Sequence, residues 1–491
     1  MKHKTVPAMK NHITSLSLLA GVVLFGIASP ASAAADNGRY AVVVSRETQA
    51  DAAWGKVVDA LREKHGAVVL TYEEKLEETL PALQQQFPRF VCFVAQPREA
   101  TRDFGVRVHQ LTRRFDHDPY ADCFWGILTG YDAANALKIA QHREPLTVRR
   151  VASGTELAMD MVEEGVWYCE LKQDRMVRKE PGGAAVELKG PDDTTKALVD
   201  SLNEYQADLF VTSGHATERD WMIGFRYQNG FFKHADGRLY GLDTQGKRFP
   251  IQSPNPKVYL PIGNCLMGNI DQPDCMALSW FNSAGVYQMP GYTVPTWYGY
   301  MGWGLLDYFV EQPGRYTLTE SFFANQHALI HRLATFFPEW IEAKTDANGR
   351  LATRPTPSAA AKAARLTAND ARGLVFDRDF VVFYGDPGWQ ARMADRPKAF
   401  EQTLTEAEGV FAFTIKPNRG AASFQPINTN GSQRGGRPFV AFLPQRIRNV
   451  KMTEGADLQP VITDDFILVP NPVECDPDRS YRVVFTAERI P

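Results

Sequence analysis

Apolar and polar positions along this chain fall into two alternating rhythms. Short unbroken apolar runs of strand length, "RYAVVVS", "AVVLTY" and "RFVCFVA", are separated by segments whose apolar residues recur at three- and four-residue spacing. The clearest such segment is "DAAWGKVVDALREKHG", with its apolar residues on one helical face and Gly66 as the stop. The alternation continues through "ETLPALQQQF", "DCFWGILTG" and "YDAANALKIAQHRE". Strands that alternate with helices predict a mostly parallel sheet covered by helices, an α/β fold.

The rhythm then restarts. "GVWYCELK" reads as a strand and "TTKALVDSLNEYQ" as an amphipathic helix; "DLFVTSG", "KVYLPIGN" and "GVYQMPG" follow as strands, with "CMALSWFNSAG" a helix before the last. The Gly- and aromatic-rich stretch between Met222 and Pro256 has hairpin chemistry and reads as an insertion between two core strands. "ESFFANQHALIHRLATFF" and "SAAAKAARLTANDARGL" read as long helices. From near Phe400 only β-type runs remain ("GVFAFTIKP", "RPFVAFLP", "DDFILVP", "YRVVFTAERI"), which predicts an immunoglobulin-like β-sandwich. The expected organisation is an α/β subdomain over 34–150, a second over 151–397, and the sandwich over 398–491.

The first residues read as targeting rather than fold. Lys2, His3, Lys4 and Lys10 precede the apolar stretch Ser15–Ala28, and small residues in "ASPASA" suit cleavage after Ala33. Residues 1–33 are therefore expected to be a signal peptide, and the protein to be secreted or periplasmic. No later stretch reaches membrane-spanning length. A net charge of −3 with scattered Lys and Arg argues against nucleic acid as a partner.

Six cysteines at irregular spacing, with no CxxC, suggest neither a disulfide scaffold nor a structural zinc site. Two of the predicted strands end alike: "VTSGH" leads to His215 and "PIGNC" to Cys265, 50 residues apart. If those strands are neighbours, both side chains emerge at one carboxyl edge, where open α/β sheets bind ligands. An imidazole beside a thiol favours the nucleophilic thiolate and later protonates a leaving amine. Caspases carry their His at a similar distance ahead of the Cys. Taken singly, a strand-end His is more often an ordinary surface residue and a lone Cys an inert core residue; the pairing carries the idea.

Several segments extend it. "GHATERDW" resembles the His segment of the gingipain-type cysteine peptidases, a family within the caspase-like clan. "GNCLMGN" with "CMALSWFNSAGVYQMPGYTVPTW" is similar to that family's catalytic Cys, following helix and Ser/Thr-Trp loop, and "VVFYGDPGWQARM" to the segment closing its catalytic domain. The resemblance implies a caspase-like (gingipain-like) fold of two subdomains and a secreted cysteine endopeptidase acting on protein or peptide substrates. It implies Cys265 as nucleophile, His215 as general acid/base, and an oxyanion hole from the backbone N–H groups of Cys265 and Ala216. Relatives carry Gly where Ala216 stands, so the hole requires a backbone there that tolerates a Cβ. Asp132 and Glu218 are candidates for the acid that orients His215, although Asp132 reads more simply as a helix N-cap. Trp221 and Trp297 are candidates for an aromatic substrate pocket, with core packing as the plain alternative.

Relatives that cleave after Arg carry an acid where this chain has His142 and Arg143, so strict Arg specificity is not expected. Asp386 reads as a turn residue before Pro387. The acids of "HDPYADC" and "DRD" could bind calcium but lack EF-hand spacing and read more simply as solvated loop residues; structural calcium is possible but unsupported, and no other cofactor or metal is expected. The alternative to the enzyme is a catalytically inactive caspase-like scaffold or binding protein.

Overall fold

The computed structural model describes residues 40–345 and 350–490; the expected signal peptide lies outside them. Twelve strands form the central sheet: β1 (Tyr40–Ser45), β2 (Val68–Tyr72), β3 (Phe90–Val94), β4 (Phe124–Leu128), β5 (Arg150–Ser153), β6 (Glu164–Tyr168), β7 (Arg175–Lys179), β8 (Val186–Lys189), β9 (Leu209–Thr212), β10 (Lys257–Pro261), β11 (Val286–Tyr292) and β12 (Val381–Gly385). Their order is β2-β1-β3-β4-β12-β11-β10-β9-β5-β6-β7-β8. Pairing is parallel except where β12 meets β11 and where β7 joins β6 and β8. Every residue of β1, β4, β10 and β11 is buried, as parallel strands covered on both faces require.

Helices α1 (Trp54–His65), α2 (Arg102–Leu111), α3 (Ala133–Gln141), α4 (Thr195–Asn203), α5 (Met276–Ser283), α6 (Tyr300–Leu305), α7 (Leu318–Phe336) and α8 (Ala368–Phe380) flank the sheet. The α1 stripe of Val57, Val58 and Leu61 is buried, and Gly66 ends the helix in the left-handed region at φ 62°.

The result is a mixed α/β protein with a large, mostly parallel sheet, plus antiparallel sheets. One sheet runs through both regions expected to be separate α/β units. β12 joins them, running antiparallel to β11 and touching β4 at the pair Tyr384 and Ile127. The periodicity missed β5, only four residues long, and the antiparallel edge pair β7–β8. It also merged two helices: Ala359–Ala363 and α8 are separate, because Arg365 turns at φ 59° and Thr367 starts α8 with a capping box.

Toward the C-terminus, strands Phe400–Ala407, Val410–Pro417, Tyr481–Arg489 and Ile447–Glu454 form one antiparallel sheet. Phe439–Phe442, Phe466–Val469 and Val461–Ile462 form another. Phe411, Phe413, Phe439, Ile467 and Phe485 share one apolar cluster, while Val440, Phe466 and Leu468 pack into the main core. Among the described residues, no helix is long and apolar enough to cross a membrane.

Asp386 is more than a turn residue. Its carboxylate is 1 % exposed and accepts from Tyr40 Oη at 2.7 Å and from the Gly388 amide at 2.8 Å. Lys64 Nζ and His65 Nε2 each reach it at 2.8 Å, tying the end of α1 to the end of β12. The charges of His65 and Lys64 outweigh burial and hold its pKa well below the usual carboxylate range.

Asp386→Asn leaves a buried lysine without its counter-charge and is expected to cost about 3–5 kcal/mol in chemical denaturation at pH 7. A depressed pKa gives stability that is present above the unfolded-state value, about 3.9, and lost as pH falls toward the folded value. The gap between wild type and Asp386→Asn should therefore narrow below about pH 4.

Candidate active site

β10 and β9 are parallel neighbours, with Leu209 opposite Val258 and Thr212 opposite Pro261. Both chains leave the sheet at the same edge, and three residues past Thr212 stands His215, four past Pro261 stands Cys265. Asn264 couples the two exits. It is fully buried, accepts from Thr212 Oγ1 at 2.5 Å and donates from Nδ2 to the Gly214 carbonyl at 3.0 Å. Gly214 takes φ +92°, a turn that side chains resist, and this swings His215 out of the strand direction.

His215 and Cys265 line one cavity of about 420 Å³. Its walls include Phe225, Trp297 and Trp303. Phe225 lies 4.8 Å from the His215 ring, centroid to centroid. The Cys265 thiol accepts from the Thr296 amide at 3.1 Å, which holds the sulfur against the loop after β11. Among the described residues no hydrogen bond joins the thiol to the imidazole, a common state for catalytic pairs without substrate.

The backbone around the histidine answers the question posed by Ala216. Its φ is outside the left-handed region, and its methyl packs into the core. Ala216 pairs with Trp221 in an antiparallel bridge whose hydrogen bonds run from Thr217 to Asp220 and from Met222 to His215. Among the described residues, neither the Ala216 nor the Cys265 amide donates to a protein acceptor. Unengaged N–H groups are what an oxyanion hole requires.

Other sequence-derived candidates fall elsewhere. Trp297 lines the cavity and is 41 % exposed, but Trp221 is fully buried. The Trp221 indole donates to the Ser213 carbonyl at 2.7 Å and packs where Gly154 leaves room, so it supports the histidine loop from below. Asp132 caps α3 by accepting from the Asn135 amide at 2.8 Å. β4, which leads to it, lies four strand positions from β9, roughly 19 Å at ~4.8 Å per strand, and among the described residues no hydrogen bond joins Asp132 to His215. Glu218 accepts from Asn269 Nδ2 at 2.7 Å and bridges the histidine loop to the cysteine loop instead. His142 packs against Tyr287 and Trp389, away from this edge.

Sequence reasoning missed Glu170. β6 follows β5 in the same parallel set, and its chain exits at this edge into Cys169 and Glu170. Glu170 is among the residues lining the cavity yet is 5 % exposed. Its Oε1 accepts from Thr155 Oγ1 at 2.6 Å and Ser213 Oγ at 3.2 Å, while Oε2 has no partner among the described residues. Burial raises its pKa, against hydrogen bonds from Thr155, Asn430 and Ser213. The signal was present in "GVWYCE", an apolar strand that ends on an acid, just as "SGH" and "GNC" end on reactive residues.

No family model matches this chain, and no curated protein does. A solved structure described as "Structure of Protease" aligns with 92 % of this chain and 96 % of its own, at 11 % identity and a TM-score of 0.38. At those values the likeness carries no argument, and the site is read from its own geometry.

Of the acids expected in solvated loops, Asp122, Asp377 and Asp379 are buried and Asp118 is half-buried. Asp122 is buried, and Asp116, Asp118 and Asp122 bring carboxylate oxygens within 4.8 Å of one another. Burial pushes Asp118 up to about 7 and Asp122 up to about 9. Among the described residues, this is a cluster whose spacing suits a divalent cation. Asp377 and Asp379 lie buried in α8, where Asp379 pairs with Arg113 at 2.8 Å and Asp377 accepts from the Met301 amide at 2.9 Å.

All six cysteines are free thiols, and five are buried; Cys265 is the partly exposed one. Burial raises Cys92 and Cys123 and pushes Cys275 up to about 12. Brief treatment of the folded protein with iodoacetamide should therefore modify Cys265 first, by peptide mass mapping, and Cys265→Ala should remove that early product.

Proposed function

We propose that this chain is an exported cysteine-type endopeptidase of gingipain-like, caspase-like architecture. Cys265 is the nucleophile and His215 the general acid/base. The observation that carries the reading is the pair of adjacent parallel strands opening a thiol and an imidazole into one cavity. The free amides of Cys265 and Ala216 support it. The export reading rests on the sequence of residues 1–33 alone, and the family reading on the segments around His215, Cys265 and Asp386.

In the reaction, His215 takes the Cys265 proton and the thiolate forms a bond to the peptide carbonyl carbon. The carbonyl oxygen becomes an oxyanion that accepts from the Cys265 and Ala216 amides. Collapse breaks the C–N bond, with His215 delivering its proton to the departing amine and leaving an acyl-thioester. Water then loses a proton to His215, attacks the thioester carbonyl, and releases the acid product and the thiol.

Glu170, a cavity-lining residue whose buried carboxyl keeps one oxygen unpartnered, supports a cationic side chain at P1, the residue on the acyl side of the cleaved bond. This differs from the expectation drawn from His142 and Arg143. That expectation looked for the acid after β4, whereas Glu170 enters from β6.

Fluorogenic peptide amides test both parts. Cys265→Ala should abolish cleavage, and His215→Ala should lower kcat by about 10²–10⁴. Lysyl or arginyl P1 substrates should be cleaved faster than alanyl ones. Because burial raises Glu170, acidification should protonate it and lower kcat/KM for lysyl P1 before that for alanyl P1. A protein that cleaves no peptide and reacts with no peptidyl halomethyl ketone at Cys265 is the silent scaffold instead.

A further inference from the structure

Part of the cavity wall comes from a distant part of the chain. Asn430, Gly431 and Ser432 line the cavity beside Cys265, although they lie in the connection between the antiparallel strands Val410–Pro417 and Phe439–Phe442. We propose that this connection is a specificity strap, and that Asn430 is a positioning residue that holds the Glu170 carboxyl ready for a cationic P1 side chain. The inference rests on the peptidase reading and adds to it an element contributed by the C-terminal sheets.

Three sets of contacts seat the strap. At its tip, Asn430 Nδ2 donates to Thr155 Oγ1 at 3.1 Å and to Glu170 Oε1 at 3.4 Å. Thr155 in turn donates to the same carboxylate oxygen at 2.6 Å, so the amide and hydroxyl fix one oxygen, while the other is buried without a partner among the described residues. Next, Gly431 lies flat on the Trp303 indole. A Cβ there would stand 2.2 Å from a ring carbon, and the φ of +101° also excludes most side chains. Ser432 Oγ then donates to the Tyr298 carbonyl at 3.0 Å, beside Trp297.

Behind the tip, the strap is clamped by charge. Asp307 and Glu311 project from the π-helical turn Leu306–Val310 and its end, which continues α6. Arg434 Nε reaches Asp307 at 2.7 Å and its Nη2 reaches Glu311, with the guanidinium 2 % exposed. The Gly435 amide donates to Asp307 at 3.1 Å and the Ile427 amide to Glu311 at 3.1 Å. Arg437 stacks 3.7 Å above the Tyr300 ring and pairs with Asp307 at 3.2 Å. A surface loop with no role at the cavity has no need of two buried arginines and two buried acids. Here they fix the height of the strap above the pocket floor.

The test compares lysyl, arginyl and alanyl P1 peptide amides on wild type and Asn430→Ala. Losing a hydrogen bond to a carboxylate should reduce the lysyl-over-alanyl ratio in kcat/KM about tenfold. It should also move the acid limb of the lysyl profile to higher pH, while the alanyl profile stays in place, because only the lysyl substrate uses Glu170. A general loosening of the fold would shift both profiles together. Gly431→Ala should lift the strap off Trp303 and raise kcat/KM for phenylalanyl P1 relative to lysyl; circular dichroism confirms that each variant is folded. An unchanged ratio and unchanged limb in Asn430→Ala, with wild type active, overturns the strap alone. A wild type that neither cleaves these amides nor reacts at Cys265 with a lysyl halomethyl ketone overturns the peptidase reading and the strap with it.

Discussion

The parallel register of β9 against β10 is the constraint from which the rest of the site follows. With Thr212 opposite Pro261, both chains run out of sheet at the same height. Asn264 then spends its oxygen on one strand and its nitrogen on the other exit loop. A register slip of one residue would turn every buried side chain of a strand to the opposite face, so the core itself enforces the alignment. The distance between the thiol and the imidazole is thus set by the cores of two fully buried strands, and the loops need only complete a few residues each. Glu218, bridging to Asn269, and Trp221, bonded to the Ser213 carbonyl, hold those few residues in place.

Much of this was legible in the sequence, for physical reasons that also explain the failures. Buried parallel strands such as "YAVVVS" and "KVYLP" are largely apolar, and amphipathic helices such as α1 must repeat every three or four residues, so their letters announce them. β5 escaped because "RVAS" is too short to show either pattern. The course of the sheet through β12 escaped because pairing between strands far apart in sequence leaves no local periodicity. Local reading also misjudged charge. Asp386 looked like turn chemistry, and the acids of "HDPYADC" and "DRD" looked solvated, because a single acid carries no mark of the partners that will surround it.

The site divides in the same way. His215 and Cys265 were visible because a reactive residue after an apolar strand and a glycine is a local feature, and two of them at suitable separation reinforce each other. Glu170 carries the same local signature and was passed over because no motif drew attention to it. Trp221 was assigned to the pocket from its neighbourhood in sequence, but the hairpin turns it under the histidine loop. Asn430 lies beyond any such reading: nothing in "NTNGSQRGG" points toward a cavity built from strands more than a hundred residues earlier.

The strap and Glu170 explain each other energetically. A carboxyl buried with one oxygen unpartnered costs free energy, of the order of 1–3 kcal/mol for the missing hydrogen bond alone. Exposure to water would remove that cost, and the strap prevents exposure by sealing the wall with Asn430 and Gly431 against Thr155 and Trp303. Arg434 and Arg437, meeting Asp307 and Glu311 beneath it, help hold the strap down. The chain therefore uses four buried charges to keep a fifth group dry and under-satisfied. Under the proposed reading, such an arrangement is unfavourable in an empty cavity and would become favourable when a cation enters, converting a folding cost into selectivity for the ligand that relieves it.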